Sequence, residues 1–313
     1  MSPRLRIAFF GSPEFAVPTL RALLALHDVV VVVTQPDKPA GRGRELLAPA
    51  VKSVALAAAV PVLQPVSART EEFLRELTEL APEVAVVVAY GKILPQAVLD
   101  VPRHGCLNVH GSLLPRYRGA APIQRAILDG ECETGITIMR LDVGMDTGPM
   151  LFARRVPIAP DDTAGTLAAR LAELGADLMR EALERLQAGT LAETAQDATL
   201  ATLAPRLGKE DGRIDWTQPA ARVVDRVRGV DPWPGAFTLL AGEPLKAWGA
   251  TGAPGAGVAG TVLGVGEQGL VVACGEGAVA LRELQLPGRK RMPARGLVAG
   301  RPIAPGTQLG SAA

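Results

Sequence analysis

Asn108, His110 and Asp146 are the side chains of this 313-residue sequence whose types and spacing could do chemistry together. An asparagine carboxamide donates an N–H to a developing oxyanion without changing its own protonation. An imidazole donates when charged and accepts when neutral near pH 7, and a carboxylate beside it favours the charged form. Such a set suits acyl transfer through a tetrahedral intermediate in which a substrate amine, not the protein, is the nucleophile. A structural reading stands beside it: a histidine near a strand end is often only a hydrogen-bonder, and the asparagine of Asn-x-His can simply satisfy a turn.

Other reactive side chains fit less well. Ser112 lies in HGSLLP rather than in a G-x-S-x-G elbow, so a serine nucleophile is not expected. Cys106 reads as a small core residue, and His27 and His104 as peripheral. The three cysteines are odd in number and scattered, and there is no H-E-x-x-H, so neither a disulfide framework nor a metal site is expected. A soluble protein of the reducing cytoplasm fits, with no membrane segment.

These side chains need a scaffold. An apolar strand over 105–110 would put Asn108 and His110, two residues apart, on one face at its carboxyl end. Further apolar runs at 4–10, 29–34, 60–63 and 84–89 alternate with helical patterns at 14–26, 48–59, 71–80 and 95–100. That order predicts an α/β domain with a Rossmann-like, mostly parallel sheet, whose ligands bind beyond the strands' carboxyl ends. The turn Gly11-Ser12-Pro13 lacks G-x-G-x-x-G, so a nicotinamide cofactor is not expected. A strand at 134–140 leads into LDVGMDTGP, 141–149, a loop able to hold Asp146 in an unusual backbone setting. A further strand at 150–157 and a long amphipathic helix at 164–188 complete the domain, 1–189.

Two other regions carry charge. QPDKPAGRGRELLAP, 35–49, has no periodicity and reads as a long exposed loop in which Lys38, Arg42 and Arg44 could meet a polyanion; a solvated connector is the alternative. Residues 190–217 are polar and aperiodic, a linker, and 218–313 hold a short helix and about five short strands between glycine-rich turns, a small OB-like β-barrel. The chain's net charge is only +1, yet residues 206–313 carry 13 Lys+Arg against 9 Asp+Glu. A basic barrel of this size suits nucleic acid, although a purely structural barrel is open too. Arg289, Lys290 and Arg291 could touch phosphate or form a solvated face, and the tail 304–313 carries no assignable motif.

NVHGSLLPRYRGAAP together with LDVGMDTGP resembles the folate-dependent formyltransferases. FFGSPEFAVPTL, QPDKPAGRGRELLAP and DPWPGAF extend the likeness over nearly the whole chain, toward the branch of that family whose acceptor is methionyl initiator tRNA. The resemblance implies Asn108, His110 and Asp146 as the catalytic group. It implies Ser112, Leu113, Leu114 and Pro115 as a folate-contacting segment, with the pteridine near the backbone of 89–94 and 141–146. The formyl donor would be 10-formyltetrahydrofolate, with no metal. Arg42, then Lys38, Arg44 and Lys246, would contact tRNA on a monomeric, membrane-free enzyme of translation initiation. A small amine such as a sugar nucleotide is the alternative acceptor, for which the arginine loop and barrel would be superfluous; an RNA-binding module with a degenerate enzyme domain is the weakest reading. Leu114-Pro115 is expected to be cis, because X-Pro permits it and the loop must turn sharply.

Overall fold

Strands rich in valine and isoleucine need both faces covered, and the computed structural model, which describes residues 3–40 and 45–310, supplies two layers of helices for them. In chain order the elements are β1 (Arg6–Gly11), α1 (Val17–Leu26), β2 (Asp28–Val33), β3 (Lys38–Ala40), β4 (Glu45–Leu47), α2 (Ala50–Ala57), β5 (Val62–Leu63), α3 (Glu71–Glu79), β6 (Val84–Val88), α4 (Gln96–Leu99) and β7 (Cys106–His110). Then follow α5 (Pro122–Leu128), β8 (Glu133–Arg140), β9 (Met150–Pro157), α6 (Ala164–Gln187), α7 (Ala220–Gly229), β10 (Ala236–Leu240), β11 (Glu243–Ala253), β12 (Val262–Gly266), β13 (Gly269–Ala273), β14 (Ala278–Gln285), β15 (Met292–Pro293) and α8 (Ala294–Gly300).

The chain divides into two compact units, one of residues 1–122, 134–156 and 168–204, the other of 123–133, 157–167 and 205–313. In the first, the strands lie in the order β5-β2-β1-β6-β7-β8-β9. Pairing is parallel from β5 to β7, and β8 then runs antiparallel to β7 with His110 opposite Thr137. Alternation sorts the side chains. Ala8, Phe10, Val31, Val33, Ala85, Val87 and Cys106 form one buried face, packed with Phe73 and Leu77 of α3 and Val98 and Leu99 of α4. Burial pushes the Cys106 thiol up to about 12, as suits a core residue. Thr70 caps α3 by accepting from Phe73 N at 3.4 Å, an arrangement worth about 1 kcal/mol.

The long helix α6 buries Leu171, Leu178, Ala182 and Leu183, each worth about 2 kcal/mol where the full side chain of a leucine leaves water. Gly175 lets it approach β7 closely, because a Cβ there would stand 2.7 Å from Val109 Cγ1. Val109 points away from Asn108 and His110, so α6 supports the strand from behind.

Three expectations change. The 35–49 segment is not a featureless loop: β3 pairs antiparallel with β4, Lys38 opposite Leu47, and the hairpin exposes Leu46 and Leu47. Residues 190–204, expected in a linker, belong to the first unit, where Met150 pairs with Thr194 and Arg118 with Leu203. His27 is buried rather than peripheral, its Nδ1 accepting from Leu5 N at 3.4 Å, and burial lowers its pKa.

The second unit carries an antiparallel sheet in the order β10-β11-β14-β13-β12, with β15 beside β14. The unassigned tail has a function in this fold: Leu309 pairs with Leu240 of β10, Gln308 with Thr261, and Val262 N donates to Thr307 O at 2.8 Å. It thereby bridges the first and last strands of the path at one end. Trp216 fills the interior beside it, donating to Thr238 Oγ1 at 2.9 Å. Among the described residues no helix is long and apolar enough to cross a membrane.

Candidate active site

Asn108 and His110 close β7 and leave its same face, both buried, at 7% and 5% exposure. A buried imidazole must place its polar atoms, and His110 Nε2 lies 2.9 Å from Tyr117 O. A carbonyl only accepts, so Nε2 carries the proton and Nδ1 is the nitrogen left for chemistry. Nδ1 faces Asp146 Oδ2 at 3.7 Å, near enough for charge attraction and too far for a direct hydrogen bond. The Asn108 carboxamide makes no hydrogen bond to another described residue. A buried amide of this kind gains a partner only from what enters the site.

Asp146 comes from the loop after β8. Its backbone is left-handed, φ +56°, a setting that Asp and Asn tolerate better than other residues with a Cβ. Its Oδ2 accepts from Gly119 N at 2.8 Å. Gly119 itself has φ +123° and could not carry a side chain, since a Cβ would meet Ala204 O at 2.7 Å. The loop is braced upstream as well: Asp142 Oδ1 accepts from Gly144 N at 3.0 Å and from Thr147 Oγ1 at 2.8 Å.

The Ser112–Pro115 stretch is pinned from within. Thr137, opposite His110 on β8, donates from Oγ1 to Ser112 O at 2.7 Å and accepts from Leu114 N at 3.1 Å. Ser112 is fully buried and its hydroxyl donates to Arg116 O at 2.6 Å, so its side chain serves the loop, while Leu113 and Pro115 keep partial exposure. Leu114-Pro115 is cis. The 89–94 segment leaves β6 through Ala89, φ +47°, and Gly91, φ +79°, and Gln35 Nε2 holds it by donating to Tyr90 O at 2.9 Å. The Tyr90 ring meets Phe10 edge-on at 5.4 Å, and burial pushes its phenol up to about 12.

The basic candidates are dispersed. Lys38 is exposed on β3 and donates to Gln35 Oε1 at 3.1 Å. Arg42 and Arg44 lie outside the described residues. Lys246 is exposed on β11 in the second unit, opposite Phe237 and Gln285. In the Arg289–Arg291 run, Arg291 is already engaged, pairing with Glu283 and lying 4.7 Å over the Trp248 ring. Among the described residues no group of three or more His, Cys, Asp or Glu could hold a metal ion.

Sequence reasoning missed Thr137, Tyr117, Gly119 and Gln196. Thr137 left a signal, a polar residue at an inward position of the apolar strand GITIM. Gln196 left none, because its partners, two backbone carbonyls and the Arg118 guanidinium, lie some 50 to 80 residues away in sequence.

Comparison with known proteins shows the family. A sequence model of the formyl transferase family matches residues 5–183, and one of the formyl transferase C-terminal domain matches 206–302. Curated relatives named methionyl-tRNA formyltransferase include one from Geobacter sulfurreducens, 51% identical over 98% of both chains. Another, from Pseudomonas fluorescens, is 53% identical over 93% of this chain and 92% of its own. Among solved structures, the sugar 3N-formyl transferase WlaRD superposes with a TM-score of 0.67 at 18% identity, covering 91% of this chain and 99% of that one. HypX from Aquifex aeolicus in complex with tetrahydrofolic acid superposes with a TM-score of 0.65 at 19% identity over 94% of this chain, which spans about half, 47%, of that protein. These structural likenesses carry the fold.

Proposed function

This chain belongs to the methionyl-tRNA formyltransferase family, and from that premise we propose that it transfers the formyl group of 10-formyltetrahydrofolate to the α-amine of methionyl initiator tRNA. The observation that carries the reading is His110 Nδ1 standing 3.7 Å from Asp146 Oδ2, with Asn108 buried on the same face at the end of β7.

Each side chain has a distinct part. The amine of the acceptor attacks the formyl carbon, and the carbonyl oxygen gains negative charge as the C–N bond forms. Asn108, whose carboxamide has no hydrogen-bond partner among the described residues, donates to that oxygen, and His110 donates through Nδ1–H. Two donors already held in place cost little reorganisation when the charge develops. Asp146 balances the imidazolium and, through an intervening water, takes the proton lost by the amine. The oxyanion then re-forms the C=O bond of the new formamide as the C–N bond to the folate nitrogen breaks, that nitrogen takes the proton back from Asp146 through the water, and tetrahydrofolate leaves. Holding both substrates at this point supplies much of the acceleration.

The residues fit a folate-type donor. Leu113 and Pro115 offer apolar surface beside the catalytic pair, whereas Ser112 and Leu114 act by shaping that segment. The backbone at 89–94 and 141–146 offers N–H and C=O groups for a pteridine. The acceptor arm is assigned to Arg42, with Lys38 and Arg44 on the same segment and Lys246 on the 218–313 barrel. Catalysis is assigned to the first compact unit, residues 190–204 included, and tRNA binding to the 218–313 barrel, in an enzyme that works as a cytoplasmic monomer in translation initiation.

The test is a formyl-transfer assay with labelled 10-formyltetrahydrofolate, comparing methionyl initiator tRNA, elongator tRNA and small amines including a sugar nucleotide. Product on the initiator tRNA alone is expected. Product on a small amine and none on initiator tRNA would overturn the reading.

A further inference from the structure

His110 is held between two acceptors, and neither lies on a helix or strand. Tyr117 O and Asp146 Oδ2 sit on separate loops, at residues whose φ values are +61° and +56°. One segment, 194–204, with a 3-10 turn at Ala198–Leu200, is bonded to both loops. Thr202 Oγ1 accepts from Tyr117 N at 2.9 Å, and Ala204 N donates to Arg118 O at 2.7 Å. On the other side Thr194 and Met150 exchange backbone hydrogen bonds at 2.8 Å.

Gln196 stands at the middle of this segment. Its Nε2 donates to Asp146 O at 2.9 Å and to Gly148 O at 2.7 Å. Its Oε1 accepts from Arg118 Nε at 3.1 Å and from Nη2 at 2.7 Å. A carboxamide has two donors and two acceptor lone pairs, and here all four are used. The bonds close a ring, since Arg118 is joined to Gly119, whose N donates to Asp146 Oδ2 at 2.8 Å. Both the backbone and the carboxylate of Asp146 are therefore fixed relative to the loop that carries Tyr117 O.

We propose that Gln196 is a positioning residue for the transfer reaction, setting the separation of Asp146 from His110. The inference rests on the catalytic reading given above. Chemistry restricts the position to glutamine: glutamate has no N–H for the two carbonyls, and asparagine is one methylene too short to reach from this backbone. A loop with so few other anchors would otherwise let the half-buried Asp146 drift, and a displacement of about 1 Å in a catalytic group costs up to about 100-fold in rate.

The experiment compares wild type, Gln196→Ala, Gln196→Glu, Asp146→Asn and the double variant Asp146→Asn/Gln196→Ala in the formyl-transfer assay on methionyl initiator tRNA. Gln196→Glu keeps the side chain's shape and its Arg118 bonds, and it carries the test should Gln196→Ala fold poorly. Expected are a fall in kcat of about 10- to 100-fold with KM for both substrates unchanged, and a pH–rate profile displaced toward that of Asp146→Asn. The double variant should be no slower than Asp146→Asn alone. A wild-type kcat and pH profile for both Gln196 variants, or losses that multiply in the double variant, would overturn the proposal while leaving the catalytic reading intact. Wild-type turnover by Asp146→Asn would instead remove the catalytic reading, and this inference with it.

Discussion

His110 Nδ1 and Asp146 Oδ2 stand 3.7 Å apart, with the other ring nitrogen committed to Tyr117 O at 2.9 Å. The pair is close enough for charge attraction and beyond direct hydrogen-bond distance, so a water or substrate atom beside it can bridge the two. This spacing assigns the reacting side of the imidazole to Nδ1.

Removing the charge at 146 separates electrostatics from shape. Asn tolerates the left-handed backbone of Asp146 and still accepts from Gly119 N, so Asp146→Asn keeps the loop. Its turnover is expected to fall by about two to four orders of magnitude with circular dichroism and melting temperature near wild type. Single-turnover formylation reads the loss; a rate within a few-fold of wild type would show that the carboxylate is not needed.

Asn108→Ala tests the oxyanion donor. A cut in kcat of about two to three orders of magnitude is expected, with tRNA affinity near wild type, because the donor acts on charge that exists only in the transition state. Filter binding at fixed salt measures affinity beside the rate. Equal turnover would end the assigned role.

Thr137 is a stability prediction. Its buried hydroxyl donates to Ser112 O and accepts from Leu114 N, so Thr137→Val strands both partners at constant shape. Leaving buried backbone groups unpaired should cost about 1–3 kcal/mol in chemical denaturation. An unchanged midpoint would mean that the loop rearranges to pair them.

Asp37 gives a pH prediction. Hydrogen bonds from Lys52 Nζ, at 2.7 Å, and from Gln64 hold its carboxyl below the usual carboxylate range. A carboxyl depressed in the folded state stabilises it above the unfolded value, and that stability is lost as the pH falls through the folded value. In Lys52→Met the Asp37 titration followed by carbon NMR should move up toward its ordinary range, and acid unfolding should begin at higher pH. A titration identical to wild type would contradict the coupling.

Arg42 is tested through salt. If it meets tRNA phosphate, Arg42→Ala should weaken binding and lower the slope of log affinity against log salt by about 1. An identical slope would exclude the contact.

Much of this site was legible in the chain itself. Asn108 and His110 share a face because alternation along a strand is a property of the backbone, and Gly105 to His110 is apolar enough to be one. The sheet, its helical cover and the position of the pair at a carboxyl end follow from the same local periodicities. Glycine and aspartate in LDVGMDTGP foretold a constrained carboxylate, which takes the form of a left-handed Asp146.

Only tertiary structure decided the rest. The partner of His110 Nε2 is a backbone carbonyl, and every residue type carries one, so no side-chain pattern marks Tyr117. The 38–47 hairpin escaped notice because its strands are three residues each, too short for a periodic signal. The tail at 307–310 is composed like any loop, and bridges to Leu240 and Thr261 only because β10 and the start of β12 present open backbone groups to it. Gln196 is the clearest case: its meaning lies in four hydrogen bonds to residues distant along the chain, and local sequence holds no information about which distant groups a fold will bring within 3 Å.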